Sequence, residues 1–299
     1  MFPVITIPDD AADLQEQLGT KPKFWFGSKP SLFKEIREGT GEDWSEKVAC
    51  ELAELLGIPH AKYDLGLWKG RRGVVSDSFL PSGGRLIHGN ELLAKIVPQY
   101  PTRKFFRVRQ HSLRVVTTII QMSKPPIGFV LPPEVQTGVD VFIGYLMLDA
   151  WIGNQDRHHE NWGLVLAKDG SVHLAVSYDH ASCLGRIETD IEKHERLTTK
   201  DRQRTVEYYI GKASSAFYAS PTSKKPLSTL DAFRVAARSR PAAGLTWLKR
   251  LEAVSQDQTE QILRQVPSDR ISEVSVNFAQ RMLELNRSCL LDCVTGLLA

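Results

Sequence analysis

Residues 139–153, "VDVFIGYLMLDAWIG", are the most apolar long segment of the chain, and the polar run "GNQDRHHENWG" (153–163) follows directly. The apolar segment is too short to span a bilayer and is interrupted by Asp140 and Asp149. It therefore reads as a buried core helix over 134–152, around which the larger part of the chain must pack. The run after it places Asp156, Arg157, two histidines, Glu160 and Asn161 side by side. Polar side chains at that density are not there for packing.

The chain has 299 residues, enough for one large domain or two lobes. Its net charge of +3 is too small to indicate nucleic-acid binding. Four cysteines, with no CxxC pair, argue against a zinc site and fit a reducing compartment. The start "MFPVITIPDD" has neither the basic region nor the apolar core of a signal peptide, so a cytoplasmic protein is expected.

The first third mixes short strands with one helix. "KFWF" (23–26) and "SLFKEI" (31–36) predict a β-hairpin joined by "GSKP" (27–30), with Gly27 in its loop. "WSEKVACELAELLG" (44–57) predicts an amphipathic helix ended by Gly57 and Pro59, with Asp43 or Ser45 as its N-cap. Residues 61–80 read as two strands around the basic turn "WKGRR", a solvated tip, and "PSGG" (81–84) as a hinge. From about residue 86 the pattern turns helical. A hairpin of "GLVLA" and "VHLAVSYD" around "KDGS" is the exception, and the last hundred residues are helical. The expected fold class is α+β, with a small β-rich lobe over 1–82 and a larger helical lobe over 83–299.

Asp156 and Asn161 sit on the loop after the core helix, and the second strand of that hairpin puts Asp179 at its end. Phosphoryl transfer uses such a set. One carboxylate positions the attacking hydroxyl, and a second carboxylate with an amide oxygen holds Mg²⁺ against nucleotide phosphates. Arg157 and His158 would neutralise phosphate or brace the loop. In the small lobe, Lys34 lies in the strand after the Gly27 loop, and Glu46 lies early in the next helix, with Glu42 and Glu51 as competing candidates for the partner of Lys34. A strand lysine held by a helix glutamate beneath a phosphate-covering turn is the small-lobe half of a protein-kinase-like site. Phe79 and Leu80, in "DSFL", fall where an adenine-contacting segment would lie.

"DRHHEN" fits the D-R-H-x-x-N catalytic loop of HipA-like kinases and phosphatidylinositol 3/4-kinases, and not the H-R-D order of eukaryotic protein kinases. With "KFWF…LFKEI…EKVACELAELLGI" and the later "YD", residues 21–180 resemble a bacterial HipA-like serine/threonine kinase. The resemblance implies a two-lobed protein-kinase-like fold using ATP and Mg²⁺. It makes Asp156 the catalytic base, Asn161 and Asp179 the metal ligands, and Lys34 the phosphate contact, with Gly27 and Ser28 in the covering loop. "YDHAS" stands where ordinary kinases have D-F-G. The resemblance further implies silencing by autophosphorylation in the covering loop, with Ser28 and Ser31 as candidates. A dianionic phosphate placed there would repel the phosphates of ATP. It also implies a protein substrate such as an aminoacyl-tRNA synthetase or another translation factor, and an antitoxin partner of the toxin–antitoxin kind. The family's toxin carries an N-terminal subdomain that touches its antitoxin. Only about twenty residues precede "KPKFWF" here, so that subdomain is expected to be absent or a separate chain.

Two other readings use the same residues. A lipid kinase shares the D-R-H-x-x-N loop, but no membrane anchor, amphipathic membrane helix or strong polybasic patch accompanies it. A catalytically dead binding module would have no need of Lys34, Asp156, Asn161 and Asp179 together. The basic stretch 193–204 reads as a solvated, activation-segment-like region rather than a nucleic-acid grip.

Overall fold

The computed structural model describes residues 1–11, 14–15, 22–28 and 30–298; Lys29, in the expected turn, lies outside them. Among the described residues, six strands form one sheet. They are β1 (Val4–Ile7), β2 (Leu14–Gln15), β3 (Lys23–Phe26), β4 (Ser31–Glu35), β5 (Asp64–Trp68) and β6 (Arg71–Asp77), in the order β1-β5-β6-β4-β3-β2. The expected hairpin is present. Phe26 faces Ser31 across it, and Gly27 at its tip has a φ of 79°, which glycine adopts without a Cβ penalty.

Strand alternation sorts this sheet into two faces. Phe24 and Phe33 meet at 5.4 Å on one face, with Trp68 against Phe24 at 4.7 Å, and form a small core with Ile7 and Val75. Trp25, Leu32, Lys34, Val74 and Ser76 occupy the other face and line a cleft.

The helix α1 (Glu42–Leu56) ends on left-handed Gly57, as expected, but it starts at Gly41 with no side-chain cap. Asp43 and Ser45, the expected caps, are used elsewhere. Asp43 is fully buried between Arg72 and Arg270, at 2.8 Å from each, and Ser45 Oγ donates to the Ala181 carbonyl at 2.8 Å. Arg72 therefore points inward from the "WKGRR" turn. Only Lys69 and Arg71 remain at its tip, lying over the Trp68 ring.

The second part begins with β7 (Arg85–His88), where a helical pattern was expected. Its pairing partner β8 (Gly163–Leu166) is distant in sequence, and β9 (Val172–Leu174) completes a three-stranded sheet. Four residues carry too little periodicity to reveal such a strand, and the same holds for β1, which pairs in parallel with β5. The helices are α2 (Gly89–Ile96), α3 (Leu113–Ile120), α4 (Gly138–Ile152), α5 (Asp190–Thr198), α6 (Val206–Gly211), α7 (Thr229–Ser239), α8 (Pro241–Glu252), α9 (Gln256–Arg264), α10 (Glu273–Leu291) and α11 (Thr295–Leu298).

Every residue of α4 is buried, and α3, α7, α8 and α10 pack around it. Asp140 closes the capping box with Thr137 at its start, which accounts for one of the two acids in the apolar segment. The stretch expected to be solvated at 193–204 begins inside α5. That helix opens on the Thr189–Glu192 capping box and buries Lys193, whose Nζ donates to Ser275 Oγ of α10 at 2.8 Å. No helix among the described residues is long and apolar enough to cross a membrane.

Candidate active site

A cleft of about 520 Å³ lies between the first sheet and the loop that follows α4. Phe79, Leu80, Leu86 and Tyr178 supply apolar lining, and Phe79 stacks on the Tyr178 ring at 5.6 Å. Lys34, Asp156, Asn161 and Asp179 all line this one cleft, so the residues that spacing alone had linked are in fact neighbours.

The loop is built downward into α4. Gly153 ends the helix in the left-handed conformation, and Asn154 Nδ2 donates back to Asp149 Oδ1 at 2.8 Å. Arg157, 2% exposed, turns inward. Its Nε and Nη2 bind Asp149, Nη2 at 2.7 Å; Nη1 donates to the Asn161 carbonyl at 3.2 Å, and Nη2 to Ser177 Oγ at 2.9 Å. Of the two expected roles for Arg157, it takes the bracing one, because Asp149 already balances its charge. Asn161 Nδ2 donates to the Asp156 carbonyl at 2.7 Å. The spacing of Asp156 and Asn161 thus closes a small ring of backbone, and the amide oxygen of Asn161 remains as an acceptor.

Asp156 Oδ2 accepts from Ser182 Oγ at 3.2 Å, while Oδ1 is buried and has no hydrogen-bond partner. His158 Nε2 stands 3.9 Å from that Oδ1, and its Nδ1 accepts from Glu160 N at 3.1 Å. Phe105 packs on the His158 ring at 5.3 Å. Burial raises the pKa of Asp156 above the ordinary carboxylate value, and the charge of Asp179 adds to this. His158, the hydrogen bond from Ser182 and Arg186 oppose it.

Asp179 lies beyond the end of β9, not at it, and adopts a φ of 57°. A non-glycine residue in that region costs backbone energy, and such strain gathers at functional sites. Its N–H donates to Tyr63 Oη at 3.2 Å, and its carboxylate takes Lys34 Nζ at 2.5 Å. Burial lowers the pKa of Lys34, but the charges of Asp179 and Glu46 outweigh it, so the ammonium is held above the ordinary lysine value.

The expected Lys34–Glu46 pairing needs correction. Glu46 is fully buried, and its two oxygens accept from the backbone N–H groups of His180 at 2.6 Å and Ala181 at 3.1 Å. It clamps the turn that carries Asp179 and touches Lys34 only through its field. Gly27 and Ser28 stand exposed at the hairpin tip. Ser31 Oγ donates at 2.6 Å to Asp77, which lines the cleft.

Several neighbours were not legible beforehand. Ser182 and Arg186 flank Asp156, and Arg186 also binds Glu42 at 2.8 Å and Ser182 at 3.0 Å. Tyr63 and Tyr178, members of one packed cluster, also line the cleft. Ser182 and Arg186 lie in "HASCLGR", which has no periodic pattern; only its closeness to Asp179 pointed there. The histidines have separate partners, and no group of three or more His, Cys, Asp or Glu side chains among the described residues is placed to hold a metal. Asn161 falls outside such a count. With Asp156 and Asp179 it makes a set of hard oxygen donors around one cleft, and the partnerless Asp156 oxygen leaves room for a further contact, so the set fits Mg²⁺.

The architecture matches the crystal structure of the proinflammatory kinase CtkA of Helicobacter pylori over 99% of this chain and 98% of that one, at 20% identity and a TM-score of 0.74. The HipA toxin of Shewanella oneidensis MR-1, solved with HipB and operator DNA, matches over 96% of this chain and 68% of that one, at 12% identity and a TM-score of 0.58. The fold is the one these two solved structures share. No protein-family model matches the sequence, and no curated protein does. The α+β architecture, with its sheet first and its helices after, is the one expected.

Proposed function

We propose that this chain is an ATP-dependent serine/threonine protein kinase, with a small lobe to about residue 82. The observation that carries this reading is the Lys34–Asp179 pair at 2.5 Å, set in one cleft with a buried Asp156 oxygen that lacks a partner. Adenine lies against Phe79, Leu80, Leu86 and Tyr178, and the Gly27–Ser28 tip covers the phosphates. Lys34 exchanges its contact with Asp179 for the phosphate oxygens. Asn161 and Asp179 hold Mg²⁺, which when bound neutralises charge developing on the transferred phosphoryl group. Asp156 aligns the serine or threonine hydroxyl and accepts its proton late in the transfer. Ser182 and His158 fix the orientation of that carboxylate.

Ser28 and Ser31 are the proposed autophosphorylation positions. Phosphate on Ser31 would meet Asp77 and break their 2.6 Å hydrogen bond, displacing the hairpin by charge repulsion. By analogy with HipA, which was solved with HipB, an antitoxin partner is proposed; the family resemblance of the sequence alone suggests the further proposals of a cytoplasmic setting and a target in translation such as an aminoacyl-tRNA synthetase.

Intact-mass measurement after incubation with Mg-ATP tests the reading, with the starting mass recorded as well. Phosphate gain in the wild type but not in Asp156→Asn or Asp179→Asn is expected, and peptide mapping locates it. An unmodified protein that labels neither itself nor a protein substrate overturns the reading; labelling of liposomal inositol lipid alone replaces it with a lipid kinase.

A further inference from the structure

The active-site cleft continues past Asp156. Gln155, Phe105 and Phe106 line both it and a second cleft of about 1200 Å³. Two segments wall the second cleft: 104–110, which precedes α3, and 214–226, which precedes α7. Gln155, next to Asp156 in the chain, ties one wall to the catalytic loop, since its Oε1 accepts from Ser214 N at 3.3 Å.

Five cations line this cleft: Lys104, Arg107, Arg109, Lys224 and Lys225; no acidic residue does. All five are exposed, and among the described residues none makes an ion pair. Three exposed arginines elsewhere are matched, Arg204 with Glu195, Arg264 with Glu260 and Arg281 with Glu207; the five here are set apart by being gathered in one cleft. These five positive charges therefore stand in the second cleft without a carboxylate in its lining, beside the loop that carries Asp156. Like charges gathered in a concave surface repel one another and focus a field that draws a partner of opposite sign.

We propose that the second cleft binds an acidic segment of the protein substrate, adjacent in sequence to the serine or threonine that Asp156 engages. This rests on the protein-kinase reading above. The occupant must be covalently continuous with the acceptor hydroxyl, so a chain leaving Asp156 along Gln155 is polypeptide when the acceptor is a serine or threonine. Phe106, 66% exposed where the clefts join, offers an apolar contact to a side chain near the acceptor. Aspartate and glutamate side chains beyond it meet the cations.

The test uses three labelled probes in fluorescence anisotropy. The first is a peptide with one serine followed by glutamates, the second its counterpart with lysines, and the third a single-stranded oligoribonucleotide of similar length. The proteins are the wild type and Lys224→Glu/Lys225→Glu, a change confined to exposed side chains. The glutamate peptide is expected to bind the wild type in preference to the other two, more weakly as salt rises. The double reversal should cost about tenfold in affinity. Tighter binding of RNA, no binding of the glutamate peptide, or binding unchanged by the reversal overturns the proposal. The mass of each sample with Mg-ATP separates the two readings. Glutamate peptide that binds but never gains phosphate leaves the cleft standing and removes the kinase. Protein that labels itself but ignores the glutamate peptide does the reverse.

Discussion

Arg157–Asp149 and Lys34–Asp179 are both cation–carboxylate pairs of the active-site region, and their surroundings differ. The Arg157 and Asp149 side chains are 2% and 5% exposed, and each guanidinium nitrogen has a partner in Asp149, Asn161 or Ser177. The Lys34 and Asp179 side chains are 17% and 34% exposed and stand on a cleft wall. A buried pair with all its hydrogen bonds made fixes the shape of a loop, and removing one partner strands a charge. A partly exposed pair in a cleft can give up its contact to a ligand whose charges replace it. The first pair holds the shape of the loop, and the second stands where a ligand of the proposed kind would meet it.

Four measurements break or sharpen that distinction. The largest effect is expected from Lys34→Met and Asp179→Asn. Each should cut phosphate incorporation by about 10³-fold or more, with a smaller loss of stability than removal of the fully buried Arg157 charge, because this pair keeps part of its contact with solvent. A large loss of stability in either variant would merge the two classes.

Arg157→Met should behave oppositely. It leaves Asp149 buried without its cation and should cost ~3–5 kcal/mol in urea unfolding. A stable Arg157→Met protein would show that the loop is held by packing alone.

Next comes a shift in pH dependence. Burial and then Asp179 raise the pKa of Asp156 above 3.8, while the charge of His158 opposes the rise. A base works only when deprotonated, so the rate of transfer should fall as pH drops through that raised value. His158→Gln removes the opposing charge, and the acid limb of kcat/KM should move to higher pH; a limb that moves down or stays still contradicts the pairing at 3.9 Å.

The smallest effect is on stability. A carboxyl with a raised pKa in the fold favours the folded state when protonated and weighs against it once ionised. Asp156→Asn should therefore raise the melting temperature at neutral pH by about 1–3 °C while abolishing transfer. A fall in melting temperature would place Asp156 with the scaffold.

The residues of the candidate site divide along the same line. Asp156, Asn161, Asp179 and Lys34 were legible because a dense polar run after an apolar helix, and a lysine in a short strand behind a glycine turn, are local signals. Glu46 was legible as a residue and misread as a partner. Its distance in sequence from Lys34 fits a helix glutamate reaching a strand lysine, and nothing local reveals that two backbone N–H groups at His180 and Ala181 claim it instead. Arg157 was open between phosphate and scaffold for the same reason: its partner Asp149 lies one turn back in a helix whose direction of burial only the packing sets.

What the sequence by itself determined was the order of parts: the β3–β4 hairpin, α1 and its Gly57 end, the apolar α4, the loop after it, and the helical remainder. Each follows from periodicity, turn chemistry or capping within a few residues. What only the tertiary structure decided was which charges face one another. Asp43 is shared by Arg72 and Arg270, Lys34 reaches Asp179 rather than Glu46, and β7 pairs with β8 although α2, α3 and α4 separate them in the chain. Local patterns select backbone conformations over a turn or a strand. The pairing of charges depends on distances set when the first sheet, α1 and the helices pack together, and no residue carries that information alone.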